Sequence, residues 1–437
     1  MQFFKPLFSL TVLAAACALA APAAAYELHK EGNDLLNADV TAVFGAMHSR
    51  YNYDGRPGGT SWREGFVKYG LSGQTDRLGS GSAGTVYGGL AFVSSGTWGN
   101  GDAGGMTNGS ERRTSIEDAF LGWRSGDLFP TLGKDGLDVS AGRQVVKVGR
   151  GFLINDDGLN AGNALGGGGL SRGGAYYIAA RHSFANTAVL RLGGQEGLHG
   201  SAMWLKSDNR AQGKTEMGLG TLEYTAAPGT LGLTYVHGID VDARYADPAR
   251  SLRKGMDMYS LRGEGNAGIE NADFAFEFAR QRKDTGTDTA WYAQAGYEFA
   301  DLPWKPKLTY RYVRYGKNWD SFFTGGYMGW LQGEVAGNYA GPFNTNTRSH
   351  HVALTVKPTE TLTLGALFFD FRTLHDRAAL NLDGRELDLY AEWAVNEHLI
   401  ISPLVGLYKP AAWAANGGLQ SGKGRNVYAQ VLFIMPF

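Results

Sequence analysis

Thirty residues of this chain, from Arg143 to Arg172, carry four cations and two carboxylates: Arg143, Lys147, Arg150 and Arg172, with Asp156 and Asp157. Most of them are strung on a glycine-rich stretch, GRGFLINDDGLNAGNALGGGGLSRG, over 149–173. A guanidinium offers a fixed fork of donors to carboxylate or hydroxyl groups. The chemistry this composition suits is recognition of a hydrophilic solute. Arg150 and Arg172 are expected near a narrow point, steadied by Asp156, Asp157 or Asp118. On the preceding strand, 137–148, the two faces are mixed, so periodicity leaves the direction of Arg143 open.

Bond-making constellations are scarce. Neither HExxH nor GxxxxGK[ST] occurs, and the run Gly166–Gly169 lacks the strand–helix setting of a dinucleotide loop. His350 and His351 are adjacent, so on a strand they point to opposite faces and do not converge on a metal. Asn155-Asp156-Asp157-Gly158 does not have EF-hand spacing. No catalytic residue, cofactor or metal site is assigned. Formal net charge is −1 without a basic bias, so nucleic acid is not an expected partner.

The elements that must position these residues alternate with period two. DFAFEFARQ places Phe274, Phe276 and Phe278 on one face and Glu277 on the other. RELDLYAEWAV sets Leu387, Leu389 and Trp393 against Asp388 and Glu392, and TAWYAQAGYEF sets Trp291, Ala295 and Phe299 against Glu298. Such strands have one apolar and one polar side. A β-sandwich would also alternate, but the apolar faces here end in aromatics. Trp291 and Phe299 are eight residues apart, roughly 26 Å along a strand. At a tilt near 40° that spans about 20 Å, close to the apolar band between two aromatic girdles.

The pattern predicts eighteen strands, near 38–53, 62–72, 85–98, 114–125, 137–148, 174–182, 187–206, 216–226, 229–239, 257–265, 272–281, 289–299, 307–315, 348–358, 362–371, 386–394, 399–408 and 425–437. The segment 187–206 is taken as one strand, because splitting it would move the Ala227-Pro228 turn to the other rim. Short turns then fall on one side and long connections (99–113, 149–173, 240–256, 316–347, 409–424) on the other. That is the architecture of a transmembrane antiparallel β-barrel, with short periplasmic turns and long extracellular loops. Pro403 falls inside a strand, where it removes a ladder hydrogen bond.

The two ends agree. MQFFKPLFSLTVLAAACALAAPAAA reads as a signal peptide over 1–25, leaving 26–437 as the barrel domain. Its removal would also remove Cys17, the sole cysteine. The last strand, NVYAQVLFIMPF, stops on Phe437; in a closed barrel it pairs with the first strand while lipid solvates its outer face. A signal peptide, repeated amphipathic strands and a terminal Phe together resemble bacterial outer-membrane porins. The resemblance implies the outer membrane of a Gram-negative bacterium. It also implies contact with outer-membrane lipid and lipopolysaccharide, and recognition of the Phe437 strand by the barrel-insertion machinery. Within LDVSAGRQVVKVGRGFLINDDGLN, 137–160, the Gly142-Arg143-Gln144 motif and the loop after it resemble the alginate export family of eighteen-stranded porins.

With the purer apolar faces outward, the lumen receives Glu64, Lys68, Asp118, Arg124, Arg181, Arg262, Glu264, Glu277, Glu298, Arg311, Lys357, Asp388 and Glu392. Arg or Lys on the lipid face would cost roughly 2–4 kcal/mol at mid-depth, which directs them inward. The expectation is a porin passing small hydrophilic solutes or oligosaccharides through a mixed-charge lumen, its channel narrowed by the loop after the fifth strand. The alternative is an outer-membrane barrel enzyme acting on lipid or lipopolysaccharide.

Overall fold

The computed structural model describes residues 26–76, 84–324, 333–375 and 380–437; the expected signal peptide lies outside them. Its strands are β1 (Tyr26–Glu31), β2 (Asp34–Ser49), β3 (Thr60–Thr75), β4 (Thr85–Gly99), β5 (Arg112–Arg124), β6 (Leu137–Gln144) and β7 (Phe184–Leu192). Then follow β8 (Gly197–Lys206), β9 (Glu216–Ala226), β10 (Gly229–Asp240), β11 (Asp257–Gly265), β12 (Ala272–Lys283) and β13 (Gly286–Glu298). The chain ends with β14 (Lys307–Tyr315), β15 (Thr347–Thr359), β16 (Leu362–Thr373), β17 (Gly384–Asn396), β18 (Leu399–Pro410) and β19 (Asn426–Pro436).

Each strand from β2 to β19 pairs antiparallel with its sequence neighbour, and β19 pairs with β2, so eighteen strands close a ring. The short β1 stands outside the ring on the extension of β2 at the short-turn end, facing Asp34–Ala38. Closure runs to the last residue. Phe437 N donates to Val40 O at 2.8 Å and Val40 N to Phe437 O at 3.2 Å, while the Phe437 ring stacks on His398. Outward faces carry the expected apolar rows, such as Phe274, Phe276 and Phe278 of β12, all exposed. Aromatic pairs mark both ends of the band: Trp291 with Tyr312, and Tyr297 with Phe299.

Eighteen is the expected count, reached through two errors that cancel. Residues 174–182 form no strand, and 187–206 is two strands, β7 and β8, joined by a turn over 193–196. Gly193, Gly194 and Gly197 take positive φ at that turn, which glycine adopts without steric cost. The segment 174–182 is an apolar run that could pass for a strand, but Ala175 and Ala179 sit at positive φ, so the backbone cannot run extended. The connection after β6 therefore spans 145–183 rather than 149–173, and Phe184-Ala185-Asn186 begins β7 instead of forming a turn. Pro403 has a place as well. The β17–β18 ladder pairs Tyr390 with Leu404 and Trp393 with Ile401, with no pairs opposite Ser402 and Pro403.

Two connections fold into the lumen: loop L3 (145–183) and the described parts of loop L7 (316–324 and 333–346). They meet at a parallel bridge between Ile154 and Phe323, where Asn155 N donates to Phe323 O at 2.9 Å. Each loop contributes to two apolar clusters. One packs Phe152, Ile154, Phe322 and Phe323 against Tyr292, Val313 and Tyr315 of β13 and β14. The other packs Tyr177, Ile178, Val335 and Tyr339 against Trp62, Tyr408, Tyr428 and Leu432.

Deleting Phe437 removes two ring-closing hydrogen bonds and the stack on His398. Each hydrogen bond is worth about 0.5–1.5 kcal/mol net, so the truncated barrel should unfold at lower urea, with a loss of about 1–3 kcal/mol. Loss of heat-modifiable gel migration should track the same midpoint. An unchanged midpoint would remove Phe437 from the closure.

Candidate functional site

A loop inside a barrel brings backbone N–H groups away from bulk water, and each needs an acceptor. The wall supplies carboxylates. On β5 the pairing with β4 slips between Ala91–Asp118 and Phe92–Ile116, leaving Glu117 as the extra residue. A bulge of this kind re-aims side chains, and two successive acids both turn to the lumen. Glu117 accepts from His182 N (2.6 Å), Ser183 N (2.8 Å) and Arg181 Nε (3.2 Å). Asp118 accepts from Ser183 Oγ at 2.7 Å and pairs with Lys68 at 2.5 Å. Farther along L3, Glu64 of β3 accepts from Tyr177 N and Ile178 N at 2.8 and 3.1 Å. L7 is held in the same way: Glu386 of β17 accepts from Val335 N (2.6 Å) and Ala336 N (2.9 Å), and Asp388 from Glu334 N (3.4 Å).

The arginines of L3 are held as firmly. Arg172 is 3% exposed and bonds Asp157 (3.2 Å), Ser183 O (3.1 Å) and Asp208 (3.4 Å). Asp157 also accepts from Ser207 Oγ at 2.7 Å and Asn209 Nδ2 at 3.3 Å. Asp208, just past β8, collects Arg143 and Arg181 as well. Burial alone would raise its carboxyl; Arg172, Arg143 and Arg181 together hold it below the usual range. Arg150 reaches Glu264 of β11 and Asp273 of β12, each at 2.7 Å. Gly149 makes this possible: at φ +53 it lies where a Cβ would come 2.6 Å from Arg262 Nε.

This corrects the expected roles of Arg150 and Arg172. Both are anchored, but Arg150 is clamped by Glu264 and Asp273 rather than by Asp156, Asp157 or Asp118. Neither offers an open fork to a solute, because a buried guanidinium requires its carboxylates. Arg143, whose direction periodicity left open, turns to Asp208; the β6–β7 pairing shifts between Gly142 and Gln144.

The groups that keep water contact are different ones. Lys147 is exposed, with its surroundings pushing its ammonium below the usual range against the pull of Asp156 and Glu264. It makes no ion pair among the described residues. Lys68 and Asp208 retain 36% of their side-chain exposure, and His182 and Glu264 each 31%. His182 Nδ1 lies 2.9 Å from Asp156. Burial disfavours the charged imidazole, yet Asp156, followed by Glu117, raises its pKa above the ordinary value. Lys147, Lys68, His182, Asp208 and Glu264 are thus charged groups of both signs beside L3 that keep contact with water.

Of the other expected wall residues, Arg262, Glu277, Arg311, Asp388 and Glu392 are buried in the barrel, whereas Lys357 is exposed near the end of β15. Arg262 bonds Glu223 at 2.5 Å and Thr234 at 2.8 Å, and stands across from Glu277 in register. Arg311 donates to Gln294 at 2.9 and 2.7 Å. Glu298 stands opposite Lys307 at the short-turn rim. Asp388 and Glu392 are buried. Sequence reasoning missed Glu117, Asp208 and His182, and placed Glu386 on the polar face of its strand without giving it a role. The Glu117-Asp118 doublet was the one readable sign, since strict alternation would send one acid into lipid. Gly169-Leu170-Ser171-Arg172-Gly173 also matches the letters of a nucleophile elbow, but Ser171 lies in irregular chain without the strand-to-helix turn that the elbow requires.

No family model matches the chain, and no curated protein matches it. Solved structures do. The BenF-like porin from Pseudomonas fluorescens Pf-5 superposes with a TM-score of 0.55 at 11% identity, over 92% of this chain and 99% of that one. Acinetobacter baumannii OccAB2 gives 0.56 at 11%, over 92% and 98%. Pseudomonas aeruginosa OccK2 (OpdF) in complex with glucuronate gives 0.55 at 12%, over 92% and 98%. At these identities the likeness establishes the fold: an eighteen-stranded porin barrel. The alginate-export resemblance over 137–160 gains no support from any of these comparisons.

Glu386→Ala should release L7. It strands two buried backbone N–H groups whose charge-assisted bonds are worth about 1.5–3 kcal/mol each. Protease cleavage within 333–346 should accelerate at least tenfold, and less in Glu386→Gln, which keeps an acceptor. Equal cleavage rates for all three proteins would show that Glu386 does not hold the loop.

Proposed function

We propose that this chain is a porin of a Gram-negative outer membrane, giving passive passage to small hydrophilic solutes through a mixed-charge lumen. The observation that carries the reading is the water-reached set of Lys147, Lys68, His182, Asp208 and Glu264 beside two inward-folded loops. A barrel serving only as a scaffold would have no need to keep charged groups hydrated past a constriction. Three of these groups are basic and two acidic, and their fields partly cancel beyond a Debye length of about 10 Å at 0.1 M salt. Selectivity is therefore weak to moderate. That OccK2 was solved in complex with glucuronate makes a small sugar acid a suitable first probe. In this reading lipid and lipopolysaccharide surround the barrel, and the strand ending on Phe437 addresses it to the insertion machinery.

Planar-bilayer recording should show discrete open channels, with reversal potentials in a salt gradient displaced only modestly from zero. Arg150→Ala leaves Glu264 and Asp273 without their cation and should shift reversal toward cations, as should Lys147→Glu. A protein that inserts without conducting would end the porin reading.

His182 adds a pH dependence. Its folded pKa is raised, so its charge is complete below the ordinary histidine value of about 6.5 and is lost as pH rises through the higher folded value. The stabilisation from Asp156 follows the same course, present at low pH and lost on the alkaline side. Anion preference should therefore fall as pH is raised from 6 to 9, and His182→Gln should flatten the profile. A wild-type profile identical to that of the variant would exclude His182 from the path.

A further inference from the structure

The outer face of the barrel carries a second concentration of charge, far from L3. Three adjacent strands end their outward rows on cations at the loop-bearing rim. On β2 the exposed row Phe44, Ala46, His48 continues to Arg50. On β18 the row Pro403, Val405, Leu407 continues to Lys409, and on β19 Val427 is preceded by Arg425. Lys423 in the connecting loop L9 (411–425) joins them, its ammonium 5.5 Å from the ring centre of Trp413. The four cations border one groove of about 630 Å³ with Trp413, Pro410, Ala411 and Val427.

Four cations share this one groove. Some exposed cations elsewhere have acids: Arg372 and Arg385 share Asp370, Arg282 takes Asp257, Lys206 takes Glu216 and Lys254 takes Asp240. Others, such as Arg63, Arg280 and Arg348, are exposed without an ion pair among the described residues. Arg50, Lys409, Lys423 and Arg425 make no ion pair among the described residues. From 409 to 425 the sequence KPAAWAANGGLQSGKGR contains no Asp or Glu at all, in a chain whose net charge is −1. Four like charges that no protein acid neutralises, set at the upper border of an apolar face, call for an external anion. Phosphate fits: arginine binds it bidentately and lysine as a point charge. The apolar columns below, through Val427 and Val405, suit acyl chains, and Trp413 has the amphipathic ring favoured at a membrane interface.

We infer that this groove binds a phosphorylated saccharolipid of the outer leaflet, its sugar phosphates held by Arg50, Lys409, Lys423 and Arg425 and its acyl chains lying along β18 and β19. The inference rests on the outer-membrane reading above, which sets the groove against the outer leaflet with the L9 end facing outward. The site is independent of the lumen, so lipid binding and channel conductance can fail separately.

The test uses the full barrel in detergent, with native mass spectrometry reading bound bisphosphorylated lipid A. Wild type should retain the lipid, and the variant Arg50→Gln/Lys409→Gln/Lys423→Gln/Arg425→Gln should bind at least tenfold more weakly while keeping wild-type conductance. Lys423→Gln/Arg425→Gln, confined to the L9 end, should lose about threefold and guards against a misfolded quadruple variant. A control altering the exposed cations Arg244 and Arg282 to Gln should bind as wild type. Competition identifies the source: 10 mM inorganic phosphate and excess phosphatidylglycerol should leave the complex in place. Binding by both patch variants within twofold of wild type, or displacement by either competitor, would overturn the assignment.

Discussion

A polypeptide folded into the middle of a barrel has the problem of a membrane strand without a neighbour: its N–H groups have no ladder to join. The whole interior depends on how that problem is met. Carboxylates projecting from the wall act as the missing ladder. Glu64 and Glu117 receive pairs of N–H groups from L3, and Glu386 receives a pair from L7. A carboxylate can take two or three such donors where a neutral acceptor takes fewer, so a few side chains hold two long loops. Once held, the loops bring Phe152, Ile154, Phe323, Tyr177 and Tyr339 into the lumen, and apolar packing completes the attachment.

The same constraint explains why the charges on L3 are not what they first resemble. Read as a sequence, Arg150 and Arg172 look like open forks aimed at a solute. Inside a crowded lumen a guanidinium must be matched by acids, and both are consumed, Arg150 by Glu264 and Asp273 and Arg172 by Asp157 and Asp208. Recognition then falls to groups that the packing leaves wet. Lys147 and His182 are on L3, Lys68 is on the wall, and Asp208 sits at the rim.

How much of this could be read from residues alone follows the same division. Alternation exposed nearly every strand, because an apolar outward row and a polar inward row impose period two wherever the ladder is not interrupted by a bulge. It failed where chain lies inside the barrel. The stretch AYYIAAR after Gly174 is apolar and aromatic enough for a strand, yet its backbone turns at Ala175 and Ala179 and donates to Glu64 instead of to a neighbouring strand. The Gly193-Gly194 turn was hidden by the apolar runs on either side. The wall residues Asp118, Arg262, Glu277, Arg311, Asp388 and Glu392 were legible from their face. Partners were not, since a bulge at Glu117 or a loop residue such as Asp208 leaves no periodic trace.

The central claim is that wall carboxylates hold L3 and L7 in the lumen and thereby set the size of the path. Single-channel conductance of the Glu117→Ala/Glu386→Ala barrel against wild type tests it most directly. With both loops released, conductance should rise at least twofold and flicker as the loops move. An unchanged, quiet conductance from a correctly closed barrel would mean that the loops stay in place without their carboxylates, and would contradict the account.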